Sequence, residues 1–344
     1  MYKFLIRPLL FSIDPESVHY IILNWLKALS QVPFVSFFLK LFFYKKHPSL
    51  EKELFGLKFP NPVGLAAGFD KNGKYIKELS TFGFGFIEIG TITPVAQPGN
   101  PKKRVFRLPK DSALINRLGI NNEGSEVCAE RLKKLKSNII IGGNIGKNTT
   151  TSNENAANDY ITNFSTLHPH VDYFVLNVSC PNVSNFTKLQ DVAFLRKLVP
   201  KLKSFNNTQT RPKPILIKIS PDLSYEQLDE TITLIMDEKL DGIIATNTTT
   251  SREKLLISQN EINQIGNGGL SGKPLAKRSN EVIQYISKKT NGKLPIIGVG
   301  GIMTAQDAID KLDAGADLVQ IYTGFIYSGP SLVKKINQKI INNS

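Results

Sequence analysis

The segment NVSCPN at 177–182 leaves the apolar run DYFVLNV at 172–178 and places two amides, a hydroxyl and a thiol within six residues. A short apolar run of this kind reads as a buried parallel strand, and in α/β proteins the polar groups at the carboxyl ends of such strands share one crevice. Cys180 is the candidate reactive group there. With a reference pKa of about 8.5, a thiol supplies a workable fraction of base near neutrality. Burial preference alone would also put a small thiol beside a turn proline, so the choice rests on the company Cys180 keeps.

Polar or glycine residues follow nearly every apolar run: AAGFDK at 66–71, GT at 90–91, NIGKN at 144–148, KISPD at 218–222, TNTT at 246–249, GVGG at 298–301 and YTG at 322–324. Backbone N–H groups at the last two of these suit a phosphate, so a phosphorylated cofactor is expected. Neither a GxGxxG nor a P-loop spacing occurs, which argues against a dinucleotide fold or an NTPase. Lys218 stands between Ile217 and Ile219 at a strand terminus. A cation there is expected to face a ligand, where it could stabilise a reduced flavin anion.

The elements that must carry these groups can be counted. Apolar runs at 63–67, 86–90, 139–145, 173–178, 215–219, 242–246, 295–299 and 318–321 alternate with amphipathic segments of roughly ten or more residues. Parallel strands need such crossovers, and eight βα units point to a closed (β/α)8 TIM barrel. Thr304 and Asp307 have capping-box spacing and Gly315 closes the same helix. The stretches 90–139 and 246–272 are long enough to fold over the barrel mouth. A lid is expected at 183–188, directly after the thiol.

Eleven of the 31 aromatic residues fall in the first 44 positions. Asp14-Pro15-Glu16 is a good helix start, followed by Val18, Ile21, Ile22, Trp25, Leu26 and Leu29 at helical spacing. A second run, FVSFFLKLFFY at 34–44, is apolar nearly all round and ends in two lysines. It is about half the ~20 residues needed to span a bilayer. Signal peptide, core helices and interfacial hairpin compete. Arg7-Pro8 interrupts a signal-type apolar core, and the aromatic content with basic flanks favours a hairpin lying in the headgroup layer.

The formal net charge of +14 suits nucleic acid, anionic lipid or an anionic substrate alike, but the lysines are scattered rather than interleaved with aromatics, so no nucleic-acid partner is expected. Two cysteines and four histidines show no ligand spacing; neither a disulfide framework nor a metal is expected.

AAGFDK, IEIGTITPVAQPGNPKKRVFRL, NRLGINN, NIGKN, NVSCPN, IATNTT, GGLSGKPL, PIIGVGGI and VQIYTGFIYSGP, in this order, resemble the membrane-associated, quinone-reducing (class 2) dihydroorotate dehydrogenases over almost the whole chain. The resemblance implies oxidation of dihydroorotate to orotate in de novo pyrimidine (UMP) biosynthesis, with FMN as cofactor and a membrane quinone as acceptor. It also implies a peripheral membrane protein on the cytoplasmic face of the cell membrane. Residues 1–46 would be the membrane-contacting and quinone-admitting hairpin, and residues 47–344 the FMN-binding barrel. Removing the hairpin is then expected to spare flavin reduction and abolish quinone turnover.

By motif, the resemblance places FMN against Ala67, Gly68, Phe69, Asp70, Lys71, Thr91, Asn144, Asn177, Lys218, Thr246, Gly272, Gly301, Tyr322 and Thr323. Dihydroorotate would meet Lys71, Asn116, Arg117, Leu118, Gly119, Ile120, Asn177, Asn182, Asn247 and Thr248. His19 and Arg107 would line the quinone tunnel, and Cys180 would be the base. Quinone-linked members usually carry Ser at that position and Phe where this chain has Ile120. A soluble class 1 enzyme using fumarate or NAD and a tRNA-binding flavin barrel are the alternative readings.

Overall fold

The computed structural model describes residues 2–178 and 192–343. Eight strands close into a parallel barrel: β1 (Val63–Leu65), β2 (Phe86–Ile92), β3 (Ile140–Ile145), β4 (Tyr173–Asn177), β5 (Ile215–Ile219), β6 (Gly242–Ala245), β7 (Ile296–Val299) and β8 (Leu318–Ile321), each beside the next and β8 beside β1. These runs are rich in Ile, Val and Leu because both faces of a barrel strand are covered.

Inward-facing Phe86, Tyr173, Val175, Leu216, Ile244, Ile297 and Leu318 fill the interior. Phe59, from an antiparallel hairpin of Lys52–Leu54 with Leu57–Phe59, plugs the lower end against Phe86 at 5.2 Å between ring centroids. Each such side chain contributes roughly 1.5–3 kcal/mol on burial. Gly64 and Gly142 make room for this packing: a Cβ on either would lie 2.3 Å from the Phe86 or Tyr173 ring.

The outward faces pack on helices including Ala156–Leu167, Val192–Asn207 and Tyr225–Asp237. Three crossover helices are shorter than the sequence pattern suggested, Ile76–Ser80 with five residues and Ser125–Lys133 and Ala305–Asp313 with nine each. In the first two the intervening chain builds the mouth instead. The capping box at Thr304 and Asp307 is formed in both directions.

The two long top segments meet in one antiparallel sheet of Val105–Leu108, Ala113–Asn116 and Gly269–Gly272. The 90–139 insertion and the loop after β6 thus brace each other across the mouth.

Ahead of the barrel stand two short turns, Tyr2–Ile6 and Arg7–Phe11, then α1 (Pro15–Ser30) and α2 (Val35–Phe43). The Asp14 side chain accepts from Ser17 N and caps α1. The axes of α1 and α2 differ by 113°, and among the described residues no single helix is long and apolar enough to cross a membrane. The face of α1 that meets the barrel carries Glu16, Val18 and Leu23. Of the apolar stripe read from the sequence, Ile21, Ile22, Trp25 and Leu29 are exposed. The periodicity located the helix, and much of its apolar stripe points away from the barrel. Among the described residues, 17 of the 22 exposed large hydrophobic side chains lie between Phe4 and Tyr44.

Candidate active site

The carboxyl ends of the strands open into a cleft lined by Ala67, Gly68, Lys71, Thr91, Asn144, Asn177, Lys218, Thr246, Gly272, Gly301, Tyr322 and Thr323, together with Asn116, Leu118, Gly119, Ile120, Asn247 and Thr248. Parallel register brings Asn177 level with Lys218 on adjacent strands. The loop backbone at the far side is held open by glycine. Gly272 (φ +99°) and Gly301 (φ +80°) lie in the left-handed region, and a Cβ would meet Ser112 O at 2.4 Å and Ala276 Cα at 2.2 Å respectively. Any side chain there would displace the loop backbone from its place at the cleft.

The floor of the cleft is organised by Glu88, whose carboxylate is fully buried on β2. Asn144 Nδ2 donates to its Oε1 at 2.8 Å, Lys218 Nζ to the same oxygen at 3.3 Å, and Gln320 Nε2 to Oε2 at 2.6 Å. The chain continues outward with one polarity. Thr91 Oγ1 donates to Asn144 Oδ1 (2.6 Å), Asn177 Nδ2 to Thr91 Oγ1 (2.7 Å) and Asn247 Nδ2 to Asn177 Oδ1 (3.3 Å). A carboxylate can only accept, so Glu88 dictates which way the Asn144 amide faces, and through Thr91 the Asn177 amide as well. The amides are oriented before any ligand arrives. Lys71, at the mouth, donates to Asn121 Oδ1 at 2.8 Å.

Three of the expected site residues lie outside this lining. Phe69 packs edge-on to Tyr322 and Phe325 at centroid distances of 5.4 and 5.5 Å. Asp70 is buried and accepts from Lys74 N and Tyr75 N at 2.8 and 2.7 Å, a loop-closing role. Its carboxyl is pushed up to about 6, chiefly by burial. Arg117 turns away from the cleft, stacking over Phe106 and donating to the carbonyls of Ile265 and Lys103. Cys180, Asn182 and the expected lid at 183–188 lie outside the described residues. Sequence reasoning had omitted Glu88 and Gln320, although each is a polar residue within an apolar strand run.

A second cavity, of about 350 Å³, lies between α1, the short amino-terminal turns and the barrel rim. Its walls include Leu10, Val18, Leu23, Leu26, Phe69 and Phe325, with His19 and Arg107 among the polar members. Arg107 Nη1 donates to Ile13 O at 2.6 Å, and its guanidinium lies 4.6 Å from the centroid of the Phe11 ring. His19 Nε2 is 2.9 Å from Phe69 O, and burial pushes the imidazole down to about 4, so it is neutral at pH 7. Gly68, Lys71, Leu118 and Tyr322 border both cavities.

A polar, cation-bearing cleft over glycine-rich loops, sharing a wall with an apolar cavity, suits electron transfer from a polar substrate through a planar phosphorylated cofactor to an apolar acceptor. The family profile of dihydroorotate dehydrogenase matches residues 49–343. A protein of Christiangramia forsetii, dihydroorotate dehydrogenase (quinone), is 58% identical over 341 residues, covering 99% of each chain. Two solved DHODH structures from Eimeria tenella, one ligand-free and one in complex with ferulenol, align with TM-scores of 0.86 and 0.85 at 35% identity. Each alignment covers 96% of this chain, with 95% and 91% of the respective structures. On its barrel, its full-length match and the identity to these relatives, the chain belongs to the dihydroorotate dehydrogenase family of oxidoreductases.

Proposed function

We propose that this protein oxidises dihydroorotate to orotate in pyrimidine biosynthesis, using FMN in the barrel cleft and a membrane quinone reached through the apolar cavity. The observation that carries this reading is the wall shared by the two cavities, formed by Gly68, Lys71, Leu118 and Tyr322. FMN, the phosphorylated form of the flavin on which this family depends, takes up a hydride equivalent from a substrate and gives up electrons singly or in pairs to an acceptor.

The chain's own residues do the rest. Gly272, Gly301 and Thr323 would hold the phosphate, with Ala67, Gly68, Thr91, Asn144, Thr246 and Tyr322 around the rings. Lys218 supplies a cation against negative charge developing on the cofactor, while Glu88 fixes where its ammonium sits. On the substrate side, Lys71 would pair with the carboxylate of dihydroorotate. Asn116, Asn177, Asn247 and Thr248 would hydrogen-bond its diamide ring, with Leu118, Gly119 and Ile120 closing over it. Asn182 joins that set on the strength of the sequence motif. Cys180 removes the proton from C5 as C6 gives up its hydride.

The hairpin of α1 and α2 lies in the membrane interface on the cytoplasmic side, its exposed aromatic belt in the headgroup region. His19 and Arg107 line the quinone's path. No nucleic-acid partner belongs to this reading.

Turnover with dihydroorotate and a short-chain quinone is the direct test. Cys180→Ala should keep the bound flavin yet lose at least a hundredfold in the rate at which dihydroorotate bleaches it, as expected for loss of a general base. Bleaching at the wild-type rate would remove Cys180 from the reaction.

A further inference from the structure

Glu16 sits on α1, in the segment expected to serve the quinone alone. Its carboxylate nevertheless bridges the Arg104 guanidinium in two places, Nη2 to Oε1 at 2.7 Å and Nε to Oε2 at 3.0 Å. Both side chains are buried, at 9% and 7% exposure. A bidentate, desolvated pair of this kind has a fixed geometry. The third nitrogen of the guanidinium, Nη1, donates to Pro98 O and Asn100 O, each at 2.7 Å, so the same group ties down the 97–104 loop.

That loop grips the segment lining the substrate side of the cleft. Asn100 N donates to Leu118 O at 3.1 Å, Asn100 Nδ2 to Arg117 O at 2.9 Å, and Arg117 N to Arg104 O at 2.8 Å. Gly99 leaves no slack, since a Cβ there would lie 2.2 Å from Leu118 O. The path from Glu16 to the cleft thus runs entirely through hydrogen bonds.

We propose that Glu16 is a positioning residue for dihydroorotate: through Arg104 and the 97–104 loop it fixes Leu118, Gly119 and Ile120 at the cleft. The proposal rests on the reading that this cleft takes dihydroorotate. The hairpin is accordingly part of the acid-binding half of the enzyme as well as the path to the acceptor. Removing residues 1–46 weakens dihydroorotate binding, in contrast to the clean separation of half-reactions expected from the sequence.

The test is stopped-flow bleaching of the holoenzyme flavin against dihydroorotate concentration, with reoxidation by a short-chain quinone measured on the same preparations. In Glu16→Gln the dissociation constant of dihydroorotate should rise ten- to a hundredfold. Flavin content and the limiting bleaching rate should stay within threefold of the wild type, and the KM for quinone, whose cavity also includes Glu16 and Leu118, should shift by several-fold less than the dihydroorotate constant. Glu16→Asp, which keeps the charge but withdraws it by one methylene, should show a smaller rise of several-fold and serves if the Gln variant does not fold. Arg104→Lys combined with Glu16→Gln should be no worse than the weaker single variant. Dihydroorotate binding within twofold of wild type in a folded Gln or Asp variant overturns the proposal, as does an equal shift in quinone KM, which would make the bridge a general seam of the hairpin. A wild-type flavin that dihydroorotate does not bleach at all would instead refute the functional reading on which the proposal rests.

Discussion

Replacing Glu88 by Gln removes one charge from beneath the cleft while keeping its shape. The new amide oxygen can still accept from Asn144 and Lys218 in place of Oε1, which takes 2.8 and 3.3 Å contacts in the native protein. The new amide nitrogen then faces Gln320, whose own Oε1 has no hydrogen-bond partner among the described residues. A flip of the Gln320 amide turns that oxygen into an acceptor and preserves the bond. What is lost is the attraction between Glu88 and Lys218, whose charged atoms stand 3.3 Å apart. Coulomb's law gives roughly 5 kcal/mol for this pair at an effective dielectric of 20. Breaking a buried pair on one side typically costs about 3–5 kcal/mol. We therefore expect a loss of about 3 kcal/mol in unfolding free energy and a drop in Tm of roughly 4 °C. With the Glu88 charge gone, the Lys218 cation should also favour the reduced, anionic cofactor. A gain of about 1.4 kcal/mol would appear as roughly +30 mV for a two-electron couple. Thermal melts followed by circular dichroism and spectroelectrochemical titration of the bound flavin read the two effects independently. A melt within 1 °C of wild type together with an unmoved potential would show that the buried contact carries no charge-pair energy, and the account of the floor would fail.

Two further variants probe the cleft loop and the apolar cavity. Gly301→Ala must put a Cβ into backbone 2.2 Å away at φ +80°, a strain of about 1–3 kcal/mol; flavin binding should weaken roughly 5- to 150-fold, read from the flavin-to-protein absorbance ratio after dialysis. His19 is held near pKa 4 by burial against an ordinary value of 6.5. The unfolded chain therefore binds more protons between those values, so stability rises with pH across the window and up to roughly 3 kcal/mol is lost as pH falls from 7 to 4. Denaturant melts at pH 4.5, 5.5 and 7 should show this slope, flatter in His19→Gln; identical slopes would place the linkage elsewhere.

The barrel could be counted from the sequence because a strand covered on both faces must be apolar without interruption. The runs at 215–219 and 318–321 coincide with β5 and β8 to the residue. The third strand of the mouth sheet was not legible, since Gly269–Gly272 joins the local hairpin of Val105–Leu108 and Ala113–Asn116 from more than 150 residues along the chain, and nothing local records that pairing. Lys218 was found by asking why a charge interrupts an apolar strand. The same question put to Glu88, between Ile87 and Ile89, and to Gln320, between Val319 and Ile321, would have found the floor of the cleft. Phe69, Asp70 and Arg117 lie outside the cleft lining because a motif names a stretch of chain, whereas the cleft selects the side chains that point into it. The exposed stripe of α1 shows the limit of helical periodicity, which marks an apolar face without saying whether protein or lipid covers it.

The partition made by Gly68, Lys71, Leu118 and Tyr322 separates two solubility regimes inside one small protein. On the proposed reading, a hydrophilic acid and a lipophilic oxidant would each have a room of its own and would not contend for the same space. Filling one room would leave the other open, and a blocker shaped for the greasy side has no reason to look like the acid. Such a layout also leaves the acceptor free to change over evolutionary time, through side chains around the apolar room, while the chemistry on the acid stays as it is.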